Sequence, residues 1–198
     1  MNMRQQLEAQ RTAPPNIMLI LTDQFRPDAL QYVQTPHLCA LAQRGVTFAN
    51  AYCASPLCQP SRTSLVHGSY PTSHGVCGNM NTPLAEAERE DTYPRHLQRA
   101  GYTTALIGKH HHIDRWRAGV DIAEDDDAVQ SFGYDHVLQV DDDHLTNQDA
   151  YTRFLDARGK LEAFQEMTCS GKYDPTAFTV EEFDDGFIGE QAVAYIER

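Results

Sequence analysis

Cys58, Pro60 and Arg62 stand at alternate positions in the stretch Ser55-Pro56-Leu57-Cys58-Gln59-Pro60-Ser61-Arg62-Thr63-Ser64-Leu65. Proline fixes φ at a helical value and lacks the N–H that a first helical turn leaves unpaired, so Pro60 is predicted as the first helical residue. Cys58 then falls at the helix N-terminus, where backbone amides and the helix dipole favour an anion. Arg62 lies four residues on, so a helical path returns its side chain to the face carrying Cys58. A candidate nucleophile, an anion-friendly helix end and a guanidinium are thus gathered in one short stretch. A lone cysteine beside a helix start also reads as a small buried hydrophobe. The pentapeptide by itself does not separate the two readings.

Two further groups of chemically active residues follow directly after apolar runs. Asn16 to Thr22 is a continuous apolar run, the pattern of a strand buried on both faces of a parallel sheet, and Asp23-Gln24 come next. Asp23 there is a candidate metal ligand or, equally in kind, a turn or capping aspartate. Tyr102 to Ile107 is a second buried-strand pattern, followed by Gly108-Lys109-His110-His111-His112. In an extended segment side chains alternate, which puts Lys109 and His111 on one face and His110 and His112 on the other. Successive histidines do not converge on one tetrahedral ion, so the run does not read as a zinc site. Ligands of open α/β sheets bind in the crevice at the carboxyl ends of strands, where both groups fall.

The elements that must hold these residues read in order. Thr35-Pro36 opens a helix closed by Gly45, and Val46 to Tyr52 reads as a short strand. Gly68 to Asn81 is rich in turn formers and reads as loop, with His74 and Asn79 within reach of a site. Tyr93 to Ala100 is a short helix, and Phe132 to Val140 another strand. Asp125-Asp126-Asp127 and Asp141-Asp142-Asp143 read as solvated loops. Asn147 to Met167 is an amphipathic helix interrupted near Gly159. Thr179 to Ile196 is a further helix, with Phe183, Phe187, Ile188, Ala192 and Ile196 on one stripe. With no strand after it, exposed apolar surface or a partner chain is expected along Phe183, Phe187 and Ile188. Strands followed by helices indicate an α/β fold, a doubly wound, mostly parallel sheet flanked by helices.

At 198 residues the chain suits one domain with a proper core. A net charge of −12 disfavours nucleic acid or an anionic membrane as partner, so an anionic substrate would need locally built positive potential. The five cysteines are odd in number and irregularly spaced, which points to a reducing compartment rather than a disulfide framework. Met1 to Pro15 is polar, without the apolar region of a secretory signal, and reads as a flexible arm. No run approaches the roughly 18 apolar residues that cross a bilayer. A soluble, cytoplasmic protein is expected.

Cys58-Gln59-Pro60-Ser61-Arg62 resembles the Cys-x-Pro-Ser-Arg signature of the sulfatases, in which the cysteine is oxidised to formylglycine after translation. Asp23-Gln24 resembles that family's first metal-ligand pair, and Gly108-Lys109-His110-His111 its Gly-Lys-x-His segment. Three motifs in the right order are specific, and the likeness is strongest over residues 16 to 115. It implies an alkaline-phosphatase-like fold with residues 16–198 as the N-terminal part of a catalytic domain. It also implies a divalent cation, calcium foremost with magnesium or manganese as alternatives, held by Asp23, Gln24 and the modified Cys58. One hydroxyl of the hydrated aldehyde would attack sulfur or phosphorus, and the other would release the bound sulfate. Arg62 would hold the diol, while Lys109 and His111 would neutralise charge or protonate the leaving oxygen.

Many sulfatases carry two aspartates where this chain has Asp23-Gln24. The glutamine variant resembles the choline-sulfatase and phosphonate monoester hydrolase branches, so phosphodiester and phosphonate substrates stay open. The family's second pair of metal ligands lies downstream of the sequence in hand, and the chain alone is not expected to turn over. The implied partners are a small sulfate or phosphate ester and a formylglycine-generating maturation enzyme, with homo-oligomerisation left open. A non-catalytic α/β fragment with Cys58 kept as a thiol is the alternative from another class.

Overall fold

The structure is a computed structural model that describes residues 14–79, 83–113, 126–141, 145, 148–174 and 176–198. Its contacts divide the chain into two compact units, residues 1–51 and 52–198.

In the first unit the expected helix is present as α1 (Pro36–Arg44), with Pro36 at its start and Gly45 at its end. A 3-10 turn over Pro27–Gln31 precedes it. Residues 16–22 form no strand, and Ile17 to Leu21 are each at least 50% exposed. A continuous apolar run specifies side chains that suit burial, but a strand needs a neighbour's ladder, and none of the described residues pairs with this one. Val46 to Tyr52 is likewise irregular rather than a strand.

The second unit begins its regular structure with α2 (Cys58–His67). The helix starts at Cys58, two residues earlier than Pro60 suggested. Proline is acceptable there because the whole first turn has amides without intrahelical partners, not only its first residue. Gly68, at φ 78, closes the helix by donating its N–H to the Ser64 carbonyl at 2.8 Å. A short helix, α3 (Pro71–His74), lies in the stretch read as loop. Then come a 3-10 turn over Glu86–Asp91 and α4 (Tyr93–Arg99).

Strand β1 (Ala105–Gly108) pairs in parallel with β2 (His136–Gln139), in the register Ala105↔His136 through Gly108↔Gln139. A parallel pair needs a crossover, and α5 (Asp126–Gln130) lies on it. Asp126 thus opens a helix instead of belonging to a solvated acidic loop; Asp125 and 142–143 fall outside the described residues. The predicted interrupted helix is α6 (Ala150–Asp156) and α7 (Leu161–Ser170), with Gly159 at φ 67 between them. A last helix, α8 (Asp184–Ile196), follows a 3-10 turn over Val180–Glu182.

Two cores hold this unit. Val66, Leu84, Ile113, Val129, Phe132 and Tyr134 pack around β1 and β2, with Leu106 and Val137 against them. Val140, Tyr151, Leu155, Phe164, Met167, Phe178 and Phe187 form the other. Phe183 and Ile188 pack against that second core, so the stripe expected to be exposed is largely covered within the chain. Tyr151 and Phe154 of α6 meet the Phe187 ring, and Phe178 meets the Phe183 ring. Val193 and Ile196, further along α8, are the exposed apolar residues.

Candidate active site

Helix α2 places Cys58 in its first turn, and the loop after α3 reaches back to it. Asn79 Oδ1 accepts the Gln59 backbone N–H at 2.9 Å, which satisfies one of the amides that a helix start leaves over. His74 is buried; its Nδ1 accepts the Val76 N–H at 3.1 Å, so its Nε2 carries the hydrogen donated to Ser64 Oγ at 2.9 Å. Both residues picked from the turn-rich stretch therefore brace α2. Burial first, and the charge of His67 second, hold the His74 pKa below the ordinary histidine value.

Gly108 ends β1 at φ 106, a conformation that glycine adopts without strain. An added Cβ would also stand 3.3 Å from Ile188 Cγ2. The next residue, Lys109, joins the two motifs. Its carbonyl accepts from Arg62 Nη1 at 2.7 Å, and its ammonium donates to Cys58 Sγ at 3.7 Å. Cys58, Arg62 and Lys109, 51 positions apart at the extremes, thus meet at one place. Cys58 is a free, partly buried cysteine.

The expected alternation along 109–112 does not hold, because His111 takes φ 52. His111 is buried two residues beyond Lys109. The His112 N–H donates to His110 Nδ1 at 3.1 Å, and His110 Nε2 donates to Gln139 Oε1 at 2.7 Å. The His112 ring stacks on Phe132 with centroids 5.1 Å apart. Burial, then the charges of His110, Arg62 and His111, hold the His112 pKa well below the usual range. Gln139 went unnoticed in the sequence and Asp126 read as part of a solvated loop; the two bond each other at 2.8 Å, and the strand register brings Gln139 to His110.

Asp23 and Gln24 belong to the first unit. Gln24 has φ 52, and it and His111 are the non-glycine residues with positive φ among those described. Such backbone costs roughly 1–3 kcal/mol and gathers at functional positions. A carboxylate beside an amide oxygen is a hard donor pair of the kind calcium and magnesium take, although calcium takes roughly six to eight oxygens. Among the described residues no group of three or more His, Cys, Asp or Glu is placed to hold a metal. Asp23 and Gln24 therefore fit as part of a cation's shell. Among those residues no helix is long and apolar enough to cross a membrane.

A parallel strand pair flanked by helices is the arrangement of the alkaline-phosphatase-like hydrolases. The phosphonate monoester hydrolase of Agrobacterium radiobacter shares the fold, with TM-score 0.70 and 25% identity over 93% of this chain and 38% of that one. The sulfatase family model matches residues 15–192, and the chain belongs to that family. It is 42% identical over 108 residues to the choline-sulfatase of Rhizobium meliloti, covering 52% of this chain and 20% of that protein. An ulvan-active sulfatase of Formosa agariphila is 43% identical over 103 residues, covering 49% and 19%. The chain spans about a fifth of the length of these curated relatives.

Proposed function

We propose that this chain carries the nucleophile-bearing part of a sulfuric ester hydrolase, with Cys58 as the precursor of formylglycine. The observation that carries the reading is the meeting of Cys58, Arg62 and Lys109 at 3.7 and 2.7 Å. Residue 58 sits in the first turn of α2, where partial positive charge from the backbone favours an anionic oxygen. Lys109 adds a full positive charge on the sulfur side of the same residue. Arg62, braced by the Lys109 carbonyl, brings a second positive charge to the same neighbourhood. These fixed cations oppose a net charge of −12 and would stabilise the charge that grows as a sulfate ester is cleaved. His111, two residues beyond Lys109, is the proposed proton donor to the leaving oxygen.

Once made, formylglycine would supply a hydrated aldehyde, with one hydroxyl to attack the ester and take up sulfate and a second whose loss of a proton would expel that sulfate and restore the aldehyde. Asp23 and Gln24 are the residues proposed to hold a divalent cation, calcium first, whose contribution would be that of a Lewis acid. Residues 16–198 are then the N-terminal part of the catalytic domain, matured by a formylglycine-generating enzyme. The likeness to a phosphonate monoester hydrolase favours one second reading, a phosphonate or phosphodiester substrate at the same residues. Parallel kcat/KM measurements on aryl sulfate and aryl phosphonate esters test the pair. A higher value for the sulfate supports the first reading, and a higher value for the phosphonate replaces it with the second.

A further inference from the structure

His110 stands between Lys109 and His111, and both it and Gln139 are buried, at 5% and 3% exposure. A ring nitrogen that accepts carries no hydrogen, so the His112 N–H at 3.1 Å from Nδ1 leaves the ring hydrogen on Nε2. Nε2 donates it to Gln139 Oε1 at 2.7 Å. The glutamine amide has only one sensible orientation, because its Nε2 faces Asp126 Oδ1 at 2.8 Å and an ionised carboxylate only accepts. Each link sets the direction of the next: Asp126 orients the amide, the amide orients the ring, and the ring receives the main chain two residues on. Gln139 is in reach because it ends β2 opposite Gly108. Asp126 is in reach as the first residue of α5. The segment so held includes the left-handed His111 and carries Lys109, which touches both Arg62 and Cys58.

We propose that Asp126 and Gln139 are positioning residues, acting through His110 to hold Lys109 and Arg62 at residue 58. The proposal rests on the reading of Cys58, Arg62 and Lys109 as the anion-handling site.

The test uses the full chain with Cys58 left as a thiol. Alkylation by iodoacetate, an anion, is compared with alkylation by neutral iodoacetamide, residue by residue, using exposed Cys169 as the internal reference. One unit charge held about 4 Å away is worth about 1 kcal/mol in water, roughly a fivefold preference for the anion. Cys58 is expected to show that preference over Cys169. Gln139→Leu and Asp126→Ala should remove most of it, while Asp126→Asn, whose amide oxygen still accepts, should keep it. Nitrogen NMR of the His110 ring should show hydrogen on Nε2 in the wild type and a mixture in Gln139→Leu. A preference that survives Gln139→Leu with the tautomer lost overturns the positioning role and leaves the site reading standing. No preference in the wild type overturns both, since no cation is then held at Cys58. Should Gln139→Leu fail to fold, the Asp126 pair decides: equal preferences in Asp126→Ala and Asp126→Asn overturn the proposal.

Discussion

The cluster around Tyr151 is apolar, with Asp149 and Thr152 buried beside it as the cap of α6, and its rings meet edge to face, tilted or stacked: Tyr151–Phe164 at 5.4 Å, Phe154–Phe187 at 4.7 Å, Tyr151–Phe154 at 6.3 Å. Around Cys58 the buried side chains include the polar Gln59, Thr63, Ser64, His74, His110 and Gln139 beside Pro60 and Val66. Both regions exclude water, but apolar contact is non-directional whereas buried polar groups must each find a partner in a set geometry. The polar junction is therefore the costlier way to fill space and the more exacting way to aim a side chain. The aromatic cluster gives stability to α6, α7 and α8. The junction fixes where a lysine and an arginine point. The hydroxyl of Tyr151 in the aromatic cluster donates to the Glu182 carbonyl at 2.8 Å and tethers the turn before α8.

The largest effect separates the regions outright. On the formylglycine reading, Cys58→Ala should abolish turnover, since no side chain remains from which the aldehyde can form. Cys58→Ser should do likewise, and a serine enzyme at wild-type rate would mean ordinary metal-assisted hydrolysis. Next, Phe187→Ala should lower unfolding free energy by about 3–5 kcal/mol in urea titrations, as large-to-small changes in a core do. The Cys58 preference for iodoacetate should be unchanged in that variant. A loss of that preference would show the two regions are not separable. Lys109→Ala should do the reverse, leaving the urea midpoint nearly unchanged and lowering kcat by roughly two to three orders of magnitude.

Smaller effects sharpen the same contrast. Gly108→Ala forces a Cβ into φ 106 and against Ile188, and should cost about 1–3 kcal/mol in the same titrations. A neutral result would show that β1 and α8 can part at this point. The last effect is a pH dependence. His74 and His112 have lower pKa values folded than unfolded. The unfolded chain therefore takes protons that the fold refuses. Their contribution is whole above about pH 6.5 and is lost as the pH falls below it. The loss should be no more than about 1.4 kcal/mol per pH unit for each histidine. His112→Phe should flatten the slope between about pH 7.5 and 5, and parallel slopes would contradict the assignment.

The sequence revealed most where backbone chemistry is local. The α1 boundaries, the interruption at Gly159 and the helix at Cys58 follow from proline, glycine and period, which act within a turn or two. It revealed least where pairing decides. The apolar run at 16–22 carries no information about its neighbour, and Gln139 met His110 only through a parallel register across a crossover. The side-chain alternation at 109–112 failed for a related reason: His111 is held in a backbone state that surrounding contacts, rather than its own preference, must impose. Lys109, Arg62 and Cys58 were legible as residue types, but their contact needed the tertiary fold.

The central claim is that the junction positions residue 58 for conversion and use, and peptide mass tests it most directly. Protein made in a host with a formylglycine-generating enzyme should yield a peptide spanning Cys58 with the mass of the aldehyde and reactivity toward a hydrazide probe. Cys39, Cys53, Cys77 and Cys169 in the same digest should remain thiols. A fully intact thiol at Cys58 under those conditions would contradict the account.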